Sequence, residues 1–132
     1  MLNPPPQDIL DQLPRLYANE NTQAPIPDII IHLHFFVAAC DWWIAEYDGD
    51  DIFWGFCNLG DDQCAEWGYV SYAELQSIGD ILSVPVTDAN TGRLIGNLPL
   101  FVDYDEYWQP KPFRDVRWRK FTPRSLGEEG QP

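Results

Sequence analysis

Four carboxylates crowd one short stretch of this chain, Glu46, Asp48, Asp50 and Asp51, and Asp61 and Asp62 follow at the next turn. Clustered carboxylates are what hard cations such as Mg²⁺ require, and two-metal nucleases use them to hold the attacking and leaving oxygens. A metal-dependent nuclease built on Glu46 to Asp51 is therefore one reading. Against it, Asp-Gly between apolar runs marks a hairpin tip, where Asp serves the turn itself. From Met1 to Pro110 there are also eighteen carboxylates against two cations, Arg15 and Arg93, so little is present to receive a polyanionic substrate. The favoured reading makes Glu46, Asp48, Asp50, Asp51, Asp61 and Asp62 a surface for a basic partner, with no metal bound.

The other constellations are weaker. Asp88-Ala89-Asn90-Thr91-Gly92 alternates oxygen-bearing side chains but lacks the sixth-position Gly and the distal Glu of an EF-hand loop. His32 and His34 share a strand face and could supply two metal ligands, yet no third ligand stands at a convincing spacing. Cys40, Cys57 and Cys64 lie in apolar or acidic surroundings that disfavour a thiolate. No glycine loop cradles phosphates, so no nucleotide cofactor is expected.

Charge divides the chain. The formal charge of Met1 to Pro110 is -16, whereas Lys111 to Arg124 holds six of the eight basic residues and one acid. Residues 1–110 read as an acidic domain and residues 111–132 as a basic, aromatic tail with a frayed end. Arg114, Arg117, Trp118, Arg119 and Lys120 are the tail's candidate contacts. Cations interleaved with aromatics suit single-stranded nucleic acid; they equally suit a segment folding back over an acidic body, which is the favoured reading because it needs no partner. The body itself repels duplex nucleic acid and anionic membrane.

A chain of 132 residues supports one core, supplied largely by six Trp, six Tyr and seven Phe. An odd number of cysteines without a CxxC pair fits a reducing compartment. The longest apolar run, Ile29 to Cys40, is too short to span a membrane, and the start lacks a signal peptide's pattern. These features predict a cytoplasmic protein.

The elements that must position these residues follow from periodicity. Ile9, Leu10, Leu13, Leu16 and Tyr17 recur at helical spacing until Pro14 interrupts, predicting a short helix ending near Leu13. Asn19 to Pro27 reads as a loop. Ile29 to Val37 reads as one unbroken strand, Trp42–Tyr47 and Ile52–Cys57 as a hairpin with a type I′ turn, and Glu66–Val70 as a further strand. Ser71-Tyr72-Ala73-Glu74 matches a capping box opening a helix to about Ile78, with Gly79 beyond its end. Ile81–Val86 and Arg93–Val102 carry Pro85 and Pro99 and are demoted to edge strands. The predicted fold class is α+β, a single domain with one antiparallel β-meander sheet and two short helices.

Leu13-Pro14-Arg15-Leu16-Tyr17 with Glu20, Leu33-His34-Phe35-Phe36, Trp42 to Asp48, Phe53-Trp54-Gly55-Phe56, Glu66 to Ser71 with Glu74-Leu75, and Val102-Asp103-Tyr104-Asp105 with Trp108 and Pro110-Lys111-Pro112 together carry a resemblance. In this order they resemble a family of small bacterial proteins known only as a domain of unknown function, frequent on plasmids, phages and integrative elements. The resemblance runs from about Leu10 to Val116. It implies an accessory protein of mobile elements and brings no catalytic residues to carry over. The chain departs from the family pattern by an insertion from Asp88 to Asn97 and by the extended basic tail.

The expected function is that of a non-enzymatic acidic interaction module that binds a basic partner protein. In its most specific form it is a nucleic-acid mimic, whose carboxylates occupy a phosphate-binding groove. The metal-dependent nuclease is the alternative, and a structural subunit is the third possibility.

Overall fold

The segment Trp42-Trp43-Ile44-Ala45-Glu46-Tyr47 has almost no polar positions, so a strand made from it has to be covered on both faces. The computed structural model describes residue 1 and residues 3–78 and 83–120. In chain order these form α1 (Gln7–Asp11), α2 (Ala18–Asn21), β1 (Ile30–Ile31), β2 (Leu33–Val37), β3 (Cys40–Tyr47), β4 (Ile52–Asn58), β5 (Glu66–Ser71), α3 (Tyr72–Ser77), β6 (Ser83–Thr87), β7 (Leu94–Pro99), β8 (Asp103–Tyr104) and β9 (Lys111–Pro112). The fold is α+β. Its main sheet is antiparallel with strand order β5-β4-β3-β2-β8, which puts β3 in the centre.

One face of this sheet carries Leu33, Phe35, Trp42, Ile44, Tyr47 and Phe53, and it packs against Leu10 and Leu13 from the first helical segment and Leu75 from α3. The other face carries Trp43, Ala45 and Phe56, and it packs against Ile29 and Ile31 before the sheet and Val116 after it. Phe113, Trp118, Trp67 and Trp54 extend this second cluster. Each large side chain enclosed in this way contributes roughly 1.5–3 kcal/mol.

Two features of the single-meander expectation are corrected. There are three sheets among the described residues, because the Ile29 to Val37 run breaks at His32: β1 pairs with β9 in the tail, and β2 joins the main sheet. Among the described residues there are three α-helices rather than two, since the expected loop from Asn19 to Pro27 is partly helical. Tyr17 takes φ 74° and lets the chain restart as α2, and Ile26–Asp28 forms a 3-10 turn. The β6–β7 hairpin stands apart as its own two-stranded sheet. Val84, Val86, Leu94, Ile95 and Leu98 are exposed on it. Asp88 organises its tip, accepting bonds from the Asn90 and Thr91 amides, and Gly92 takes φ 71°.

The tip of the β3–β4 hairpin is also not type I′, because Gly49 is left-handed (φ 89°) and Asp50 is not. Asp48 Oδ1 instead accepts bonds from the amides of Asp50, Asp51 and Ile52 at 2.8, 2.8 and 3.0 Å. Of the predicted capping box the Ser71 half is present, with Ser71 Oγ accepting from the Glu74 amide at 3.2 Å, and the Glu74 carboxylate does not return the bond. The residue that completes the helix start is Asp51, which accepts from Ser71 Oγ at 2.6 Å and from the Ala73 amide at 2.8 Å. Gly79, the expected stop, and Ile81, the expected start of the next strand, lie outside the described residues, as does the expected frayed end.

The register shifts between Ile44, opposite Gly55, and Glu46, opposite Trp54, so Ala45 is an extra residue that bulges β3. A Cβ on Gly55 would lie 2.1 Å from the Trp43 carbonyl oxygen, which belongs to the bulged backbone and cannot swing aside. Its ladder partner Gly68 would meet nothing within 4 Å. Gly55→Ala is therefore expected to destabilise the protein by about 3 kcal/mol. Gly68→Ala should stay within about 1 kcal/mol of the parent, on the stabilising side. Urea unfolding of both variants checks this, and equal effects would show that the bulge does not depend on the glycine.

Candidate functional site

The carboxylates that the sequence brings together are separated by the structure into different tasks. Glu46 is 3% exposed. The bulge turns it toward Trp54 and the start of α2, where its oxygens accept bonds from the Tyr17 amide (2.7 Å), the Asn19 amide (3.0 Å) and Asn19 Nδ2 (2.8 Å). Asp48 is taken up by the hairpin turn. The Asp50 amide, with those of Asp51 and Ile52 and the nearby Arg15 charge, holds its carboxyl below the usual range. Asp51 holds the start of α3, and Asp61 accepts from the Gln63 amide. Asp62 Oδ1 accepts from Asn58 Nδ2 at 2.9 Å and the Lys120 amide at 2.7 Å, so it clamps the tail. Asp50 remains exposed at the hairpin tip, without a side-chain bond.

Among the described residues no group of three or more His, Cys, Asp or Glu could hold a metal ion. The nuclease alternative thus loses its ligand set, because Glu46, Asp48 and Asp51 are turned to separate backbone amides and Asp50 is left by itself at the hairpin tip. Nor do the histidines form a pair of ligands. His32 falls in the break between β1 and β2, its amide bonded to the Ile44 carbonyl, and burial lowers its pKa. His34 is engaged on both sides, Nε2 lying 2.7 Å from Asp41 Oδ1 and Nδ1 3.0 Å from Asp105 Oδ2. Both contacts are donor bonds when the ring carries two protons. Its ring stacks on Trp43 at 5.4 Å.

The described part of the tail, Lys111–Lys120, lies against this side. Arg114 pairs with Asp28, Lys120 pairs with Asp41, and Lys111 Nζ sits 4.5 Å from the centre of the Trp108 ring. The Trp118 ring meets Phe56 at 4.9 Å and its carbonyl accepts from Asn58 Nδ2; Arg119 lies over the same indole. Arg117 is exposed and lines a polar pocket of about 300 Å³ with His34, Asp41, Trp108 and Lys120. Sequence reasoning missed the His34–Asp41–Asp105 network. Asp105 lies 71 positions from His34, and nothing short of the strand register brings them together.

Each of the four ion pairs among the described residues involves His34, Arg114 or Lys120, on the tail side. On the helix side Asp8, Asp11, Glu74 and Glu106 are exposed and form none. The first three ride on α1 and α3, whose buried residues Leu10 and Leu75 face the sheet. A local signal for α1 was present in the alternation of Asp8 and Asp11 with Ile9 and Leu10. Burial raises the pKa of Cys40 and Cys57, and the bond to Asp61 raises that of Cys64, which disfavours each thiolate.

Glu46→Gln places an amide NH₂ against donors that now meet a carboxylate, and is expected to cost about 2–3 kcal/mol by chemical denaturation. Asp50→Asn should leave stability within about 0.5 kcal/mol; the reverse order would mean the hairpin tip, not the buried acid, holds this end of the sheet. For Asp41, burial pushes the carboxyl up, and the His34 and Lys120 hydrogen bonds and charges outweigh it, leaving the pKa below 3.8. A depressed carboxyl gives stability that is present above its unfolded value and lost as pH falls through the folded one. Asp41→Asn should therefore be less stable by about 2 kcal/mol at pH 7, and the gap to the parent should close below about pH 4. A constant gap from pH 7 to pH 2 would count against this role.

No curated protein and no solved structure matches the chain. A family model does match, over residues 6–92, about two thirds of the sequence. Its C-terminal limit falls at Gly92, at the tip of the β6–β7 hairpin, so β7, β8, β9 and the tail lie beyond the matched span, which ends short of the Val116 limit of the sequence resemblance. The match covers the Leu13–Tyr17 segment, the Glu46 it binds, the bulged hairpin and the capped α3 as one unit, and the chain belongs to the family described as "Protein of unknown function (DUF2958)".

Proposed function

We propose that this protein is a non-enzymatic interaction module whose helix-side acids engage a basic partner protein. The observation that carries the reading is the one-sided use of cations. The ion pairs gather on the tail side, while Asp8, Asp11, Glu74 and Glu106 stay exposed and unpaired by any of them. Carboxylates fixed on folded elements and left without counter-charge attract a cationic surface over a Debye length, about 10 Å at 0.1 M salt. A nucleic-acid mimic carried by a mobile element is the finer form of this reading, and it calls for DNA to compete with the protein for the partner. The free thiols Cys40, Cys57 and Cys64 support placing the module in a reducing, cytoplasmic setting.

The test uses a decalysine peptide as the cationic probe, titrated by calorimetry across a salt series. Combined Asp8→Asn, Asp11→Asn, Glu74→Gln and Glu106→Gln should weaken binding about tenfold at 0.1 M salt, at roughly 0.3–0.5 kcal/mol per charge. The matched control is Glu20→Gln, Asp50→Asn, Glu66→Gln and Asp115→Asn, which alters the same charge elsewhere and should weaken binding less. Equal losses in the two variants would reduce the effect to net charge and sink the helix-side assignment.

A further inference from the structure

Cross-strand partners share a face of the sheet, so the register lays the face under α1 and α3 out in rows. One row runs Leu33–Ile44–Gly55–Gly68, and its neighbours run Trp42–Cys57–Glu66 and Tyr47–Phe53–Val70. The last two positions of the first row carry no side chain. A cavity of about 250 Å³ opens over them, with Trp42, Cys57 and Glu66 on one side, Val70 on the other, and exposed Leu59 beside it.

The fold accounts for only one of the two glycines. Gly55 is required by the bulge, whereas a Cβ on Gly68 would meet nothing within 4 Å, and Gly68 does not have a positive φ. Neither backbone conformation nor packing calls for glycine there. A glycine inside a strand gives up packing and is found where a ligand or another backbone comes close. Among the described residues nothing occupies the space over Gly68, so that space is open to a group from outside the chain.

The lining selects the ligand. Apart from Glu66 its side chains are apolar or thiol, and the exposed Glu66 carboxylate takes part in no ion pair among the described residues. Its charge is felt at the floor, since the Cys57 thiol is pushed up by burial and then by Cys40 and Glu66. An apolar floor beside one unpaired carboxylate favours a flat apolar body carrying a cation and disfavours an anion. A cavity of about 150 Å³ holds benzene, so this larger volume takes a bicyclic ring with a short arm. The Trp42 indole supplies an aromatic wall for it.

We propose that this trough binds a small aryl amine, its ring seated over Gly68 against Trp42 and its ammonium turned to Glu66. The site is one for a small molecule and does not rest on the reading of a basic protein partner.

The test is titration of the ¹⁵N-labelled full chain with tryptamine, and in parallel with indole-3-propionate, which keeps the ring and reverses the charge. Expected are saturable shifts of the amides of residues 55, 57 and 66–70 with tryptamine, and at least about fivefold weaker binding of the propionate. Gly68→Val fills the floor from an open position, so it should keep the parent's urea midpoint and lose at least about tenfold in tryptamine affinity. Should that variant fail to fold, Gly68→Ala, with about a threefold loss, decides in its place. Glu66→Gln should weaken tryptamine about threefold, and Asp50→Asn, an equal change of charge at the hairpin tip, should weaken it less. Absent saturable shifts up to millimolar tryptamine, equal affinity for the propionate, parent-like binding by the folded Gly68 variant, or equal losses in Glu66→Gln and Asp50→Asn would each overturn the assignment. Acetyl-Trp-Lys-amide presents the same ring and charge on a peptide, and its binding more tightly than tryptamine would overturn the assignment to a small amine.

Discussion

The bulge at Ala45 is the constraint on which the rest of the structure depends. Side chains alternate along a strand, so an unbulged β3 would carry Trp42, Ile44 and Glu46 on one face and Trp43, Ala45 and Tyr47 on the other. That arrangement drives a carboxylate into the cluster of Leu33, Phe35 and Phe53 and removes Tyr47 from it. One extra residue reverses the parity after Ile44: Tyr47 joins Phe53 in the first cluster, and Glu46 moves to the opposite face beside Trp54. The bulge in turn requires close backbone approach, which Gly55 permits. Glu46, once turned, supplies the acceptors that fix the Tyr17 and Asn19 amides. The Pro14 carbonyl accepts from the Tyr47 amide in the same corner. Tyr17's left-handed backbone is sustained there because its N–H is bound to a buried carboxylate.

A central strand buried on both faces needs two covering layers, and these differ in charge. The helix layer takes its cover from short amphipathic segments whose outward positions are acids. The tail layer takes its cover from aromatics, and its cations find Asp28 and Asp41. Lys120 is thus compatible with partial burial because Asp41 supplies counter-charge within ion-pair reach, whereas Arg114 meets Asp28 at the surface. The β1–β9 ladder and the Asp62 contact with the Lys120 amide add backbone pairing that charge alone would not specify.

Local signals were legible where one short stretch of chain decides the outcome. The β3–β4 hairpin, the strand before Ser71 and the Ser71 cap all depend on neighbours within a few residues. The turn type was misread because Asp-Gly is consistent with a type I′ turn and also with an aspartate that gathers three amides, and the second requires Asp48 to precede the glycine as it does. The break at His32 left no local mark: Ile29 to Val37 contains no Gly or Pro, and it is the pairing of β1 with residues some eighty positions later that divides it. The role of Glu46 was illegible for the same reason, since nothing within its own hairpin reveals that Tyr17 and Asn19 will point amides at it.

The carboxylates divide by the work they do inside the fold. Glu46, Asp48, Asp51 and Asp62 spend their lone pairs on backbone amides, so changing them alters structure before it alters any surface. Asp8, Asp11, Glu74 and Glu106 hold no turn or buried segment in place and are not paired with a cation. A chain of net charge -13 loses stability to its own repulsion, and acids whose side chains make at most an exposed bond, as Asp11 does with Gln7 and Glu106 with Asn3, offset little of that loss. Charges of this kind are set on α1, α3 and beside the β8 edge rather than on the turns where the sequence is most acidic, so changing them leaves the internal bonding of the turns untouched.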